Sequence, residues 1–194
     1  ELQGGPDGDL RLYPDLSKVV RLAGQPGWAF APVDRRQQDG EPHPACSRTF
    51  LRRMVDRAAA AGITLRAAVE IEWAIGRDDV PAGEFVPAVS GPAYGMTRLV
   101  EQSEYTADLL AAFAAEGVEV DQLHPEYAPG QFEVSVGALD PVAAADRSVL
   151  VRQTIRAVAR LHGLRVSFSP SVVAGGVGNG GHVHLSAHRD GVSL

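Results

Sequence analysis

Residues 67–75 read AAVEIEWAI, and this alternation constrains the fold more than any other stretch of the chain. Val69, Ile71, Trp73 and Ile75 recur with period two, the mark of a strand with one buried face. Side chains in a strand switch sides at every residue, so the opposite face carries Glu70 and Glu72. A strand half buried in a core therefore holds two carboxylates side by side. Either water or a counter-charge from elsewhere in the chain has to accommodate them.

Two further segments repeat the pattern. In QFEVSV, Phe132, Val134 and Val136 oppose Gln131, Glu133 and Ser135; in HVHLS, Val183 and Leu185 oppose His182, His184 and Ser186. Taken singly, each polar face suits ordinary solvation. Taken together, the residue types point elsewhere. An ordinary solvated strand face carries Thr, Lys or Arg, with Glu depleted. These three faces carry only acids, imidazoles, an amide and hydroxyls, with no Lys or Arg among them. Carboxylates packed together without cations repel one another and shift upward in pKa. A bound divalent cation resolves the conflict. Carboxylates with an imidazole suit Mg²⁺ or Mn²⁺ better than zinc, and the single cysteine, Cys46, argues against a structural zinc site.

Glu126 stands seven residues before Glu133, between Pro125 and Pro129, at a chain bend. Bends present side chains into clefts, although a solvated loop acid is the plainer reading. The glycine stretch GGVGNGGH lacks the Lys-Ser/Thr of a phosphate-binding loop and precedes a strand rather than a helix. It is either a plain flexible turn or a place where backbone approaches a ligand that a side chain would block.

The wider organisation follows from periodicity. Residues 1–45, rich in Gly, Pro and Asp, hold two short apolar stretches and too little apolar material for a core. They read as part of a small β-rich unit, with DRRQQDGEPHP as a loop. A helix begins at SRTFLRRMVDRAAAAG, with Ser47 as N-cap, Gly62 as C′ residue, and Phe50, Met54, Val55 and Ala58 as its apolar stripe. Residues 96–117 form a second helix with contacts from Leu99, Val100, Leu109, Leu110 and Phe113. VEVDQL is a strand. The helix in DPVAAADRSVLVRQTIRAVARLHG has Asp140 as N-cap, Pro141 at its first position and Gly163 beyond its end. LRVSFSPSVV and HVHLSAH are strands. This order predicts an α+β fold with a mainly antiparallel sheet. Trp28 and Trp73 read as core. Arg147, Arg152 and Arg156 read as a solvated helix face or a subunit contact. His43, His124, His162 and His188 are assigned no chemical role.

Net charge is −6, which disfavours a broad nucleic-acid footprint. No apolar run approaches a membrane span, no secretory signal opens the chain, and a lone cysteine fits a reducing, cytoplasmic compartment. The missing initiator Met suggests processing or a fragment.

VEIEW, HPEYAPGQFEV, DPVAAADRSVLVRQTIRAVARLHG and GNGGHVHLS, in that order, resemble glutamine synthetase, and the likeness runs from about Asp9 to the end. The resemblance implies the fold of that family's catalytic domain over residues 46–194, flanked by helices. Residues 1–45 would be the last part of a β-grasp-like N-terminal domain. It implies an ATP-dependent ligase that phosphorylates the γ-carboxylate of glutamate and joins it to ammonia or an amine. By position, Glu72, Glu126 and Glu133 would ligate the cation nearer glutamate, and Glu70 and His182 the cation holding the ATP phosphates. Asp121, His184 and Ser186 would contact ATP, and Gly178 glutamate; no catalytic residue is assigned. The family's loop reads Asn-Gly-Ser-Gly-Met-His, whereas Val177 here replaces the Asn, and Ser171 and Val172 replace a Lys-Pro. An apolar group cannot supply an amide's hydrogen bonds, so the likeness is greater to the branch that joins glutamate or a related acid to an organic amine. The family continues beyond this chain's end, so a fragment, inactive alone, is expected, with a homo-oligomeric ring for the complete enzyme. A non-catalytic scaffold of the same fold is the alternative of another class.

Overall fold

The structure is a computed structural model that describes residues 9–194. Residues 1–8, the start of the expected N-terminal unit, lie outside the described residues. The strands are β1 (Arg11–Pro14), β2 (Val20–Arg21), β3 (Ala29–Phe30), β4 (Val33–Arg36), β5 (Thr64–Arg77), β6 (Val120–Pro125), β7 (Gln131–Val136), β8 (Leu164–Ser167), β9 (Gly181–Arg189) and β10 (Val192–Ser193). The helices are α1 (Ser47–Ala60), α2 (Met96–Glu101), α3 (Ser103–Ala115) and α4 (Pro141–Leu161).

β5 organises the molecule. One edge pairs antiparallel with β7; the other pairs with β9 along residues 64–71 and with β8 along residues 74–77. β6 extends the sheet beyond β7, and β10 beyond β9. Between the β9 and β8 ladders, Glu72 and Trp73 have no strand partner on that edge, and there the chain connecting β8 to β9 passes. One face of the sheet is the core. Val69, Ile71, Trp73, Ile75, Phe132, Val134 and Val136 are buried against Tyr105, Leu109 and Phe113 of α3 and Leu150, Val151, Ile155 and Val158 of α4. Trp73 donates its indole N–H to Tyr105 Oη at 3.1 Å, so the one polar atom of the largest core side chain is satisfied. The period-two reading of β5 and β7 thus places the faces correctly, and the sheet is antiparallel throughout the pairs described.

Asp140 caps α4, accepting from Val142 N–H at 2.9 Å. Gly163 follows that helix with φ +65°, a conformation only glycine adopts freely. Other expectations need correction. Cys46 occupies the N-cap of α1 and Ser47 is its first helical residue, with no side-chain cap. Phe50 is half exposed, because α1 lies at the margin of the core and buries none of its residues. The helix expected over 96–117 breaks at Gln102, and Val100 and Leu110 face outward. The break lets α2 run toward β6 while α3 lies against the sheet. Asp34–Arg36, read as loop, continue β4, whose ladder with β1 tolerates charged side chains because neither strand is buried. The strand after α4 stops at Ser167, β10 was not foreseen, and Trp28 is exposed rather than core.

Two polar anchors join the N-terminal strands to the rest. Arg48 of α1 bonds Asp15, Asp34 and Asp146, each at 2.9 Å. Buried Glu116 accepts from Ala23 N–H at 2.9 Å and from Thr154 Oγ1 at 2.5 Å. Among the described residues, no helix is long and apolar enough to cross a membrane.

The bend over residues 126–130 turns on Gly130, whose φ is +73°. A Cβ there would fall within the contact radius of Ile75 O. Gly130→Ala is expected to destabilise the protein by about 2 kcal/mol or more, from left-handed strain plus the clash. Urea unfolding monitored by circular dichroism measures this, and an unchanged midpoint would contradict it.

Candidate functional site

The face of the sheet turned away from the core gathers the polar residues that alternate with it. Register sets the neighbours: Glu72 lies opposite Glu133 across β5 and β7, Glu70 opposite His182 across β5 and β9, and His124 opposite Glu133 across β6 and β7. Like charges directly opposite one another destabilise a sheet, so the Glu72–Glu133 pair is a cost that packing alone does not explain.

Two overlapping groups share Glu133. Ligand atoms of Glu70, Glu133 and His182 lie within 4.8 Å of one another, and so do those of His124, Glu126 and Glu133. Glu72, Glu126 and Glu133 are buried, whereas the ring of His182 is largely exposed. Within the cluster the imidazoles stand where cations would be expected. His182 Nδ1 and His184 Nε2 approach Glu70 Oε2 at 3.0 and 3.1 Å, and His124 bridges Glu126 and Glu133 at 3.4 and 3.6 Å.

The electrostatics differ from acid to acid. Burial, then the charges of Glu70, Glu126 and Glu72, push the Glu133 carboxyl above its usual range against a smaller opposing pull from His124. Glu70 moves the other way, because its bonds from His184 and then His182 hold the charged form despite partial burial. The upward shift expected for the group as a whole is therefore seen at Glu133 and reversed at Glu70. Tyr94, in the left-handed region at φ 55°, packs against His124 and Tyr127 with ring centroids 5.7 and 5.1 Å away. Its phenol is pushed up to about 12, first by lost solvation and then by the charge of Glu126.

Gln131 ties the parts together. Its buried amide nitrogen donates to Glu72 Oε2 at 2.7 Å and to Gly178 O at 2.9 Å, and its oxygen accepts from Ala128 N–H at 2.9 Å. The glycine stretch is correspondingly anchored: Asn179 donates its backbone N–H to Pro170 O at 3.0 Å and its side-chain amide to Ser169 O at 2.9 Å. Two of its glycines are required by the protein's own packing. A Cβ on Gly180 would collide with the Glu72 carboxylate, and one on Gly178 with Pro170 O. Val177 is exposed, and with Phe85, Pro87, Tyr127 and Val173 it lines a mainly apolar pocket of about 320 Å³ beside the Glu126 bend.

Thus Glu70, Glu126, Glu133 and His182 come together, with Glu72 joined to them through register and Gln131. His184 joins Glu70, and Ser186, two residues further along β9, bonds His188 at 3.0 Å. Asp121 sits exposed at a bulge in β6, and no hydrogen bond among the described residues ties it to the acids. His124, assigned no role from sequence, stands between two acids. Its position two residues before Glu126 on an alternating strand was the available signal. Gln131 and Arg98 were also missed. Carboxylate oxygens and imidazole nitrogens converging this closely, with no Lys or Arg among the described residues paired to them, fit a hard divalent cation.

Residues 44–194 match the family model described as glutamine synthetase, catalytic domain. The chain is 69% identical, over its whole length and 42% of the relative's, to the gamma-glutamylpolyamine synthetase GlnA3 of Streptomyces coelicolor. It is 28% identical, over 92% of its length and 40% of the relative's, to a glutamate–isopropylamine ligase of a Pseudomonas species. A solved structure described as a novel glutamine synthase homolog matches 98% of this chain and 44% of its own, at TM-score 0.84 and 36% identity. A GmaS/ADP complex matches all of this chain and 45% of its own, at TM-score 0.86 and 28% identity. The chain spans about two fifths of the length of the curated relatives it matches.

Removing one charge should relieve the crowding. Glu133→Gln is expected to raise the melting temperature of the metal-free protein by a few degrees, about 2–4 °C for each kcal/mol of relieved repulsion. The same variant should lose the further rise that Mn²⁺ gives the wild type. Calorimetry with and without Mn²⁺ measures both, and a lower metal-free melting temperature would contradict the repulsion.

Proposed function

The chain belongs to the glutamine synthetase family, and from that premise we propose that it carries the metal- and glutamate-binding half of an ATP-dependent γ-glutamyl-amine ligase. The reaction class is amide formation through a γ-glutamyl phosphate: the γ-carboxylate takes the terminal phosphoryl group of ATP, and the amine nitrogen then displaces phosphate. The observation that carries the reading is the pair of overlapping groups, Glu70–Glu133–His182 and His124–Glu126–Glu133, which share Glu133 and, among the described residues, have no Lys or Arg in an ion pair with them.

In this reading Glu72, Glu126 and Glu133 hold one divalent cation and Glu70 and His182 a second, Mg²⁺ or Mn²⁺. Such cations neutralise the phosphates and the charge that develops during transfer. His184 and Ser186, continuing β9 away from Glu70, line the approach of the nucleotide, and Asp121 is a further ATP contact. Gly178 fixes the glutamate side, since its carbonyl is already oriented by Gln131. The apolar pocket beside the Glu126 bend suits the carbon chain of an organic amine.

The amine is organic rather than ammonia. Val177 and the pocket it lines offer apolar contact that ammonia cannot use, and the relatives named above include polyamine and isopropylamine ligases. A polyamine-class substrate is the favoured choice, given the 69% identity to a polyamine synthetase. The same reading places the complete enzyme in the cytoplasm as a ring of identical subunits.

Phosphate release by the full-length protein, with glutamate, ATP and a panel of putrescine, spermidine, isopropylamine and ammonia, tests this. A diamine or polyamine is expected to exceed ammonia by roughly tenfold or more in kcat/KM, the scale of discrimination that apolar pockets give. Equal or better use of ammonia would overturn the amine assignment. No phosphate release with any amine, together with no Mn²⁺-dependent thermal shift, would favour a non-catalytic scaffold.

A further inference from the structure

Arg98 is one of the most deeply buried side chains in the protein, at 1% exposure. All five of its hydrogen bonds go to main-chain carbonyls and none to a carboxylate. Nη1 donates to Glu126 O at 2.6 Å and Ala128 O at 2.7 Å; Nη2 donates to Tyr127 O at 3.2 Å and Gly91 O at 2.6 Å; Nε donates to Gly91 O at 3.2 Å. A buried guanidinium with no carboxylate bonded to it is costly, even with the charge of Glu126 nearby, so its place calls for an explanation beyond filling space. Arginine alone offers five donors in a rigid fork. That fork collects three successive carbonyls, of residues 126, 127 and 128, onto one point.

The consequence for the acids is geometric. With its carbonyl turned to Arg98, Glu126 has its carboxylate close to His124 and Glu133. From the other side Gln131 holds Ala128 N–H, and the backbone N–H of Glu126 donates to Gln131 O at 2.8 Å. The bend is clamped between a cation beneath it and an amide within it. Arg98 sits on α2, and the break after that helix frees α2 to reach the bend independently of α3. Glu70 and His182 sit on β5 and β9, bond to one another at 3.0 Å, and make no hydrogen bond to Arg98.

We propose that Arg98 is a positioning residue for Glu126, setting the geometry of the cation site that contains Glu126 and leaving the Glu70–His182 site independent of it. This rests on the reading that the acids hold divalent cations. The test is Mn²⁺ titration of the full-length protein by calorimetry, in wild type, Arg98→Met, Arg98→Lys and Glu126→Ala, with circular dichroism as the check on folding. The wild type is expected to bind two Mn²⁺ per subunit at this cluster. Arg98→Met should weaken one by about tenfold to a hundredfold, the usual effect of losing a group that orients a ligand, and leave the other unchanged. Glu126→Ala should weaken the same one. Arg98→Lys, which keeps the charge but not the fork, should fall between Arg98→Met and wild type, and it carries the test alone if Arg98→Met does not fold. Wild-type affinities in Arg98→Lys or in folded Arg98→Met, or an equal loss at both sites, would overturn the proposal. Absence of Mn²⁺ binding by the wild type would instead remove the metal reading beneath it.

Discussion

Crowded negative charge on one face of a sheet is the constraint to which the rest of this molecule answers. β5 buries Trp73 and Ile75 completely, and that burial fixes its rotation. Once the rotation is fixed, Glu70 and Glu72 have only one side to occupy. β7 repeats the logic with Phe132 and Val134, so Glu133 is delivered opposite Glu72. The hydrophobic core therefore does more than stabilise: it forces carboxylates together against their mutual repulsion. Histidines at 3.0–3.1 Å soften this for Glu70, while Glu133 is left with its carboxyl shifted upward.

Holding such a cluster takes more than the two strands. Glu126 comes from a bend, and bends are ordinarily loose. Here the bend is held by Gln131 from within, by Arg98 from beneath, and by Gly130, where no side chain fits. The glycine-rich connection to β9 is held by Asn179 and by the bond of Gln131 to Gly178 O, and Gly180 leaves room for Glu72. These parts make one hydrogen-bonded unit, in which Gln131 is bonded to β5, to the bend and to the connection at once. An anionic cradle of this kind repels phosphate by itself and would serve phosphoryl transfer only through divalent cations that it held.

Much of this was legible in the sequence, for identifiable reasons. Period-two alternation in residues 67–75 and 131–136 gave both the strands and their faces, since a one-residue slip would put Trp73 in water and Glu72 in the core. Asp140, Pro141 and Gly163 marked the ends of α4 by side-chain chemistry that acts locally. The misses share a cause, because each depends on contacts distant in sequence. The break at Gln102 follows from where α2 and α3 dock, not from a Gly or Pro. Trp28 looked like core by residue type alone, and only the placement of β2 and β3 exposes it. His124 and Arg98 act across 2–30 residues of chain, through neighbours that periodicity does not name. Glycine loops read as flexible by composition, yet Asn179 and Gln131 pin this one.

The proposed chemistry requires that the acids of β5, β7 and the 126–130 bend, with His182, hold divalent cations. Anomalous diffraction at the manganese edge, from crystals of the full-length protein grown with Mn²⁺, addresses it most directly. Two peaks are predicted in the cluster, one among Glu70, Glu133 and His182 and one beside Glu126 and Glu133. Ordered Mn²⁺ elsewhere on the protein with no peak among these residues would contradict it.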